Sequence, residues 1–308
     1  MHPNVAGWGP ADFQARYDLP STTKGSGQIV AVVDAYDNPN AASDLAAYRT
    51  QFGLGTANLT KFNQDGKTSN FPRGSSAWGI ESDLDVEMVS ATCPLCTIYL
   101  VEANSADTSD LDTAEAEAVK LGAHIVSSSW ACLGITTCGS KRAFSHKGVA
   151  YLAAASDTGS QEAAPADFDT VAAIGGTTLS KSGSSYSETA WSTPGGCAMA
   201  IKKPVWQHDT DCSYRLANDA AAVATNIAEY DSYGYGGWFT IDGTSAAAPL
   251  IAGVFGLAGN AAAQDGGRTF WLKKHHKSLY DISGCSGYGY GQYSTCTGWG
   301  TPKGIGAF

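Results

Sequence analysis

The chain has no run of about eighteen apolar residues, the length a membrane-spanning helix needs. Its longest apolar stretch, Ser245 to Ala258, is interrupted by Pro249 and Gly253, so no membrane partner is expected. Positive charge is scarce as well. Against 29 Asp and Glu stand 19 Lys and Arg, a net charge of −10, which argues against nucleic acid or anionic lipid as partner. Only 16% of the 308 residues are charged, whereas 43% are hydrophobic; a chain of this length and apolarity buries most of its unfolded surface and is not disordered. The opening Met1-His2-Pro3-Asn4 lacks the charged and apolar blocks of a signal peptide and reads as the edge of a mature form. With no linker and no internal repeat, a single domain over 1–308 is expected.

Cysteine is well supplied, and its eight copies fall into four close pairs: Cys93/Cys96, Cys132/Cys138, Cys197/Cys212 and Cys285/Cys296. An even count at short separations points to four local disulfides and an oxidising, hence extracellular, compartment. For Cys93-Pro-Leu-Cys96 alone, a zinc knuckle or redox pair is the rival reading, but the other pairs lack knuckle spacing.

Short β-branched and apolar runs at 28–34, 97–102, 124–129, 149–155 and 170–174 read as buried strands. The longer period of helices marks 41–52, 79–91 and 109–121 between them. Strand–helix repetition with near-continuously apolar strands predicts an α/β fold, a mainly parallel central sheet with helices on both faces. From Thr178 to Gly234, Ser, Gly and Thr dominate an irregular texture that reads as surface loops and a hairpin, and the Gly- and Tyr-rich tail from Gly284 to Gly300 is too poor in aliphatics for a core of its own.

Three places hold residues able to do chemistry. Gly243-Thr-Ser245 precedes an alanine-rich helix, where unpaired N–H groups stabilise nearby negative charge; taken alone, it reads as a helix cap. On the 79–91 helix, Glu81 and Asp85 lie four residues apart on one face, and Asp83 and Glu87 form a second such pair. Trp78, Met88 and Val89 flank the first pair, which favours its burial, and buried like charges share a proton; two solvated faces are an equal reading. Asp157, after the 149–155 strand, sits where parallel sheets bind ligands, although Asp before Thr-Gly also suits a plain turn. None of the six histidines lies in the His-Gly-Thr-His setting of a serine-protease base. In acid an imidazole is protonated and useless as a base, while a glutamate near ~4.3 remains partly ionised.

Together these segments resemble the sedolisins, or serine-carboxyl peptidases, which share the subtilisin-like fold. The resemblance runs in family order through Val30-Ala-Val-Val-Asp34, Glu81-Ser-Asp-Leu-Asp85, Ser156-Asp157-Thr158-Gly159, Lys203-Pro-Val-Trp-Gln207 and Gly243-Thr-Ser245. It implies Ser245 as nucleophile, Glu81 as general base, and Asp85 as the acid that orients Glu81 and exchanges a proton with it. A protonated Asp157 would donate to the developing oxyanion with the Ser245 N–H. Asp34 and Trp130 resemble positions that extend the network behind the carboxylates, with core packing as the even alternative.

No cofactor is implied for the chemistry. The family's tail calcium site is half present: Asp281 and the Ile282 carbonyl look like its first part, but no acid precedes the closing Gly-Thr-Pro302. Calcium usually takes more than one carboxylate, and the Cys285/Cys296 disulfide is the alternative brace. The expected function is hydrolysis of peptide bonds in acid through an acyl-enzyme on Ser245, by a secreted monomer acting on polypeptides and blocked by its own propeptide before maturation. A catalytically silent relative that binds peptides or a partner is the alternative. An esterase finds no Gly-x-Ser-x-Gly elbow.

Overall fold

The structure, a computed structural model, describes residues 5–132, 138–158, 164–191, 195–210, 212–285, 289–290 and 292–308. Along strand β1 (Ile29–Ala35), Val30 and Val32 enter one apolar core while Ala31 and Val33 enter another. Side chains two apart share a strand face, so a strand apolar on both faces belongs in the middle of a covered parallel sheet. That is where β1 lies. On one side of it stand β4 (Ile125–Ser128), β5 (Ala150–Ala154), β6 (Val171–Ser182) and β10 (Ala220–Val223), and on the other β3 (Thr97–Ala103) and β2 (Asn58–Asn63). All these pairings are parallel. Among the described residues, only β7 (Ser185–Ala190), folded back on β6, is antiparallel in this sheet.

Helices α1 (Pro10–Arg16), α2 (Ala41–Phe52), α3 (Ser76–Thr92) and α5 (Thr244–Ala258) bury Phe13, Leu45, Leu84 and Leu250 against one face. Helix α4 (Thr108–Lys120) covers the other with Leu111, Ala114 and Ala118. The α/β fold with a mainly parallel sheet and helices on both faces is as expected. Helices α3 and α5 pack directly on each other. A Cβ at Gly256 would lie 2.5 Å from the Cys96 sulfur, so glycine is what admits the Cys93–Cys96 disulfide at this crossing. Among the described residues no helix is long and apolar enough to cross a membrane.

All four expected disulfides are formed: Cys93–Cys96, Cys132–Cys138, Cys197–Cys212 and Cys285–Cys296. With its sulfurs joined and buried, the first pair leaves no thiolate for zinc, which disposes of the knuckle reading. Cys138 is buried in the core under α4, and Cys296 is buried as well. These two half-cystines, like Cys93, Cys96 and Cys212, are braces of the fold out of reach of any substrate, and none of the eight lines the cleft described below.

The stretch expected to be loops and a hairpin is more ordered than its texture suggests. It contains the hairpin of β8 (Cys197–Lys202) with β9 (Tyr214–Leu216), the edge strand β10, and β11 (Ile227–Asp231), which pairs with β12 (Gly237–Ile241). Ala220-Ala-Ala-Val223 carries little β propensity, yet its four residues are buried and pair with Ile174–Thr177. Burial against the sheet overrides the local preference. Strand β2, half-exposed at the opposite edge, also escaped the periodicity reading.

Candidate active site

The carboxyl ends of β1, β4 and β5 open onto the N-terminus of α5, and the sequence candidates gather there. Ser245 stands half-buried in the first turn of α5, after β12 and Gly243. Asp157, beyond the end of β5, is exposed and accepts hydrogen bonds on Oδ1 from Thr244 N at 2.7 Å and Thr244 Oγ1 at 2.8 Å. It thereby meets one of the unpaired N–H groups that every helix start presents. Ser156, just before it, has φ 104°, a left-handed conformation that bends the chain as it leaves β5 and is typical of strained functional sites. Gly159, the last residue of that motif, lies outside the described residues. Gly243 is kept small by the Asp157 contact, because a Cβ there would lie 3.3 Å from Asp157 Oδ2.

Helix α3 delivers the carboxylates. Glu81 lines a cleft of about 290 Å³ with Ala77, Trp78, Ser129, Trp130 and Ala131; among the described residues no histidine lines it. Burial pushes Glu81 up to about 7, the Ser245 hydroxyl facing it pulls the other way, and the charge of Asp157 adds to the rise. One turn on, Asp85 is fully buried and accepts from Ser129 Oγ at 2.6 Å. Burial holds Asp85 well above the usual carboxylate range, reinforced by Asp34 and Glu81 and opposed by the Ser129 bond. Asp34, at the end of β1, is raised by burial and then by Glu81, Glu102 and Glu115. The structure thus brings Glu81, Asp85, Asp34, Asp157 and Ser245 together. Trp130 borders the same cleft and packs on Phe144 at 6.1 Å.

The second carboxylate pair corrects the solvated-face reading. Asp83 and Glu87 are fully buried, together with Glu229 of β11. Glu87 and Glu229 are driven up mainly by burial, and Asp83 is pushed by it to about 9. One signal was available in the sequence: α3 has four acids and no basic residue in seventeen positions, unlike a solvated helix laced with i,i+4 ion pairs. Ser129 was also missed, being one of three consecutive serines with nothing local to single it out.

As to metals, Asp281 is exposed and Ile282 buried, and 279–308 contains no second acid. One carboxylate does not make the multi-carboxylate cage calcium prefers, so these residues do not fit the tail site. Elsewhere, among the described residues, carboxyl oxygens of Asp44, Asp83 and Asp231 lie within 4.8 Å of one another. Asp44 already accepts from Ser232 and Asp231 from Gly234 N, and burial pushes Asp83 up to about 9, so with this bonding the cluster is not a metal site.

The family model described as the Subtilase family matches residues 55–278, a span that includes all four candidate positions from Glu81 to Ser245. Kumamolisin of Bacillus sp. (strain MN-32) is 29% identical over 283 residues, 79% of this chain and 50% of that protein. Sedolisin of Pseudomonas sp. (strain 101) is 24% identical over 349 residues, 98% of this chain and 60% of its own length. The chain spans about half the length of these curated relatives. A solved structure of Pseudomonas sedolisin, a serine-carboxyl proteinase complexed with two molecules of pseudo-iodotyrostatin, shares the fold with a TM-score of 0.82. It is 22% identical and the likeness covers 98% of this chain and 96% of that one. With carboxyls rather than histidine gathered about the serine of Gly243-Thr-Ser245, the chain belongs to the subtilase family, in its sedolisin branch.

Proposed function

We propose that this domain, over 1–308, hydrolyses peptide bonds in acid solution, with Ser245 as nucleophile and Glu81 as general base. The observation that carries the reading is the half-buried Ser245 hydroxyl facing a desolvated carboxylate at a helix N-terminus. Glu81 takes the hydroxyl proton as Oγ attacks the carbonyl carbon, and returns it to the departing amine; water then releases the acyl group by the same route in reverse. Asp85 sits behind Glu81 and shares its proton. Asp157, neutral, donates to the oxyanion alongside the Ser245 N–H.

Burial makes Glu81 a stronger and scarcer base than the ordinary ~4.3 suggests. Part of that elevation is repulsion from Asp157, so a proton on Asp157 lets Glu81 ionise at lower pH. The active form carries one proton and one charge between the two, the charge on Glu81 and the proton on Asp157. Polypeptides are the proposed substrates, with a propeptide as a further occupant of the same cleft. Four disulfides support an extracellular location.

The test is hydrolysis of an unfolded protein in acid. Wild type should cleave it, Ser245→Ala should not, and a peptide aldehyde should be captured as a hemiacetal on Ser245. Continued cleavage by Ser245→Ala, or capture at another hydroxyl, would overturn the assignment.

A further inference from the structure

Helix α5 carries Pro249 four residues after Ser245. An α-helix normally satisfies a carbonyl with the N–H four residues on, and proline has none. The Ser245 carbonyl therefore lacks its i+4 donor. From the end of β4, Ser129 Oγ reaches that carbonyl at 3.2 Å. The same oxygen lies 2.6 Å from Asp85 Oδ1, and the Ser129 carbonyl accepts from Ser245 Oγ at 3.5 Å. One buried side chain thus links the acid behind the base to the backbone of the nucleophile.

We propose that Ser129 is a positioning residue that couples the protonation of Asp85 to the placement of Ser245, a reading that rests on the peptidase chemistry above. A hydroxyl has one hydrogen and accepts through its lone pairs, so Ser129 cannot donate to both neighbours. When Asp85 is neutral, its O–H donates to Ser129 Oγ, and the serine hydrogen goes to the Ser245 carbonyl in place of the missing Pro249 N–H. When Asp85 is ionised, the hydrogen turns to the carboxylate and the first turn of α5 loses that support. The titratable groups that face Asp85 are Asp34 of β1, Glu81 of α3 and Glu229 of β11, all carboxyls that favour its neutral form. Proton exchange between Glu81 and Asp85 is in this way felt at the nucleophile's own peptide unit.

The test compares peptide hydrolysis by wild type, Ser129→Ala and Ser129→Thr across the acid range. Ser129→Ala should lose about tenfold in kcat, the worth of one hydrogen bond, with KM unchanged and the acid limb of the pH profile displaced. Ser129→Thr, which keeps the hydroxyl, should restore both. Pro249→Ala returns the missing N–H, and in that background the Ser129→Ala loss should shrink. An infrared readout separates this proposal from the peptidase reading. The carboxyl stretch of Asp85, isolated by difference against Asp85→Asn, should shift in Ser129→Ala whether or not the protein cleaves peptides; a wild type without activity but with that shift sinks the function and keeps the link. The proposal is overturned by superimposable pH profiles, by a Ser129→Thr as impaired as Ser129→Ala, by a loss confined to KM, or by an unmoved infrared band.

Discussion

Raising the pH from about 5 to 7 should destabilise the fold steeply, and two buried carboxyls outside the proposed catalytic set show why. Glu102 on β3 and Glu115 on α4 are fully buried. Burial pushes each up to about 8, although Lys61 opposes it at Glu102 and the Ser128 hydroxyl at Glu115. In the unfolded chain a glutamate releases its proton near ~4.3. The native state therefore keeps protons that the unfolded state gives up. The stability this provides is complete below the unfolded value and drains away as the pH climbs toward 8. The slope is about 1.4 kcal/mol per pH unit per group. Two groups over about two units lose on the order of 5 kcal/mol, a large share of the ~5–15 kcal/mol that holds a domain together. For a chain of this size that is a fall in Tm on the order of 8 °C. Asp34, Asp85, Glu87 and Glu229 are raised in the same direction and steepen the loss. Thermal unfolding in chelator-containing buffers of equal ionic strength measures it. Glu115→Gln, which mimics the neutral form, should match wild type in acid and exceed it at neutral pH by roughly half the two-group loss. A Tm that is flat or rises with pH, or a Glu115→Gln curve parallel to wild type, refutes the reasoning.

Asp157→Asn keeps an acceptor for Thr244 and a permanent donor for the oxyanion, so it should stay active to higher pH than wild type, while Asp157→Ala should lose about 10²–10³ in kcat; pH–rate profiles of both decide this. Gly243→Ala presses a methyl against Asp157 Oδ2, 3.3 Å away, on extended backbone that tolerates alanine. It should lower kcat/KM about tenfold with Tm nearly unchanged, as read by kinetics and calorimetry. Removing the Cys197–Cys212 bridge, whose sequence separation is 15, should cost about 3 kcal/mol by loop-closure entropy. A double alanine variant should then melt about 5 °C lower.

What could be read from the residues alone was whatever local chemistry imposes. The apolar strands 28–34 and 97–102 and the helix 41–52 announce themselves by period, and Gly243-Thr-Ser245 stands out by its residue types. What stayed hidden depends on burial, which no window of sequence contains. Ala220-Ala-Ala-Val223 becomes a sheet strand because β6 offers it an open edge. Asp83 and Glu87 leave the solvent because β11 lies over that side of α3, where Tyr230 N donates to Glu87 Oε2 at 3.2 Å. Ser129 gains its place only once β4 and α5 are side by side. These hidden features share a cause with the legible ones. A site that replaces imidazole by carboxyl needs its acids neutral or sharing protons, and desolvation is the means this fold uses to keep them so. The same burial that lifts Glu81 toward about 7 lifts Asp85 behind it and the structural carboxyls Glu102 and Glu115, so the proton behind the base and the protons that stabilise the fold should both be given up as the pH rises.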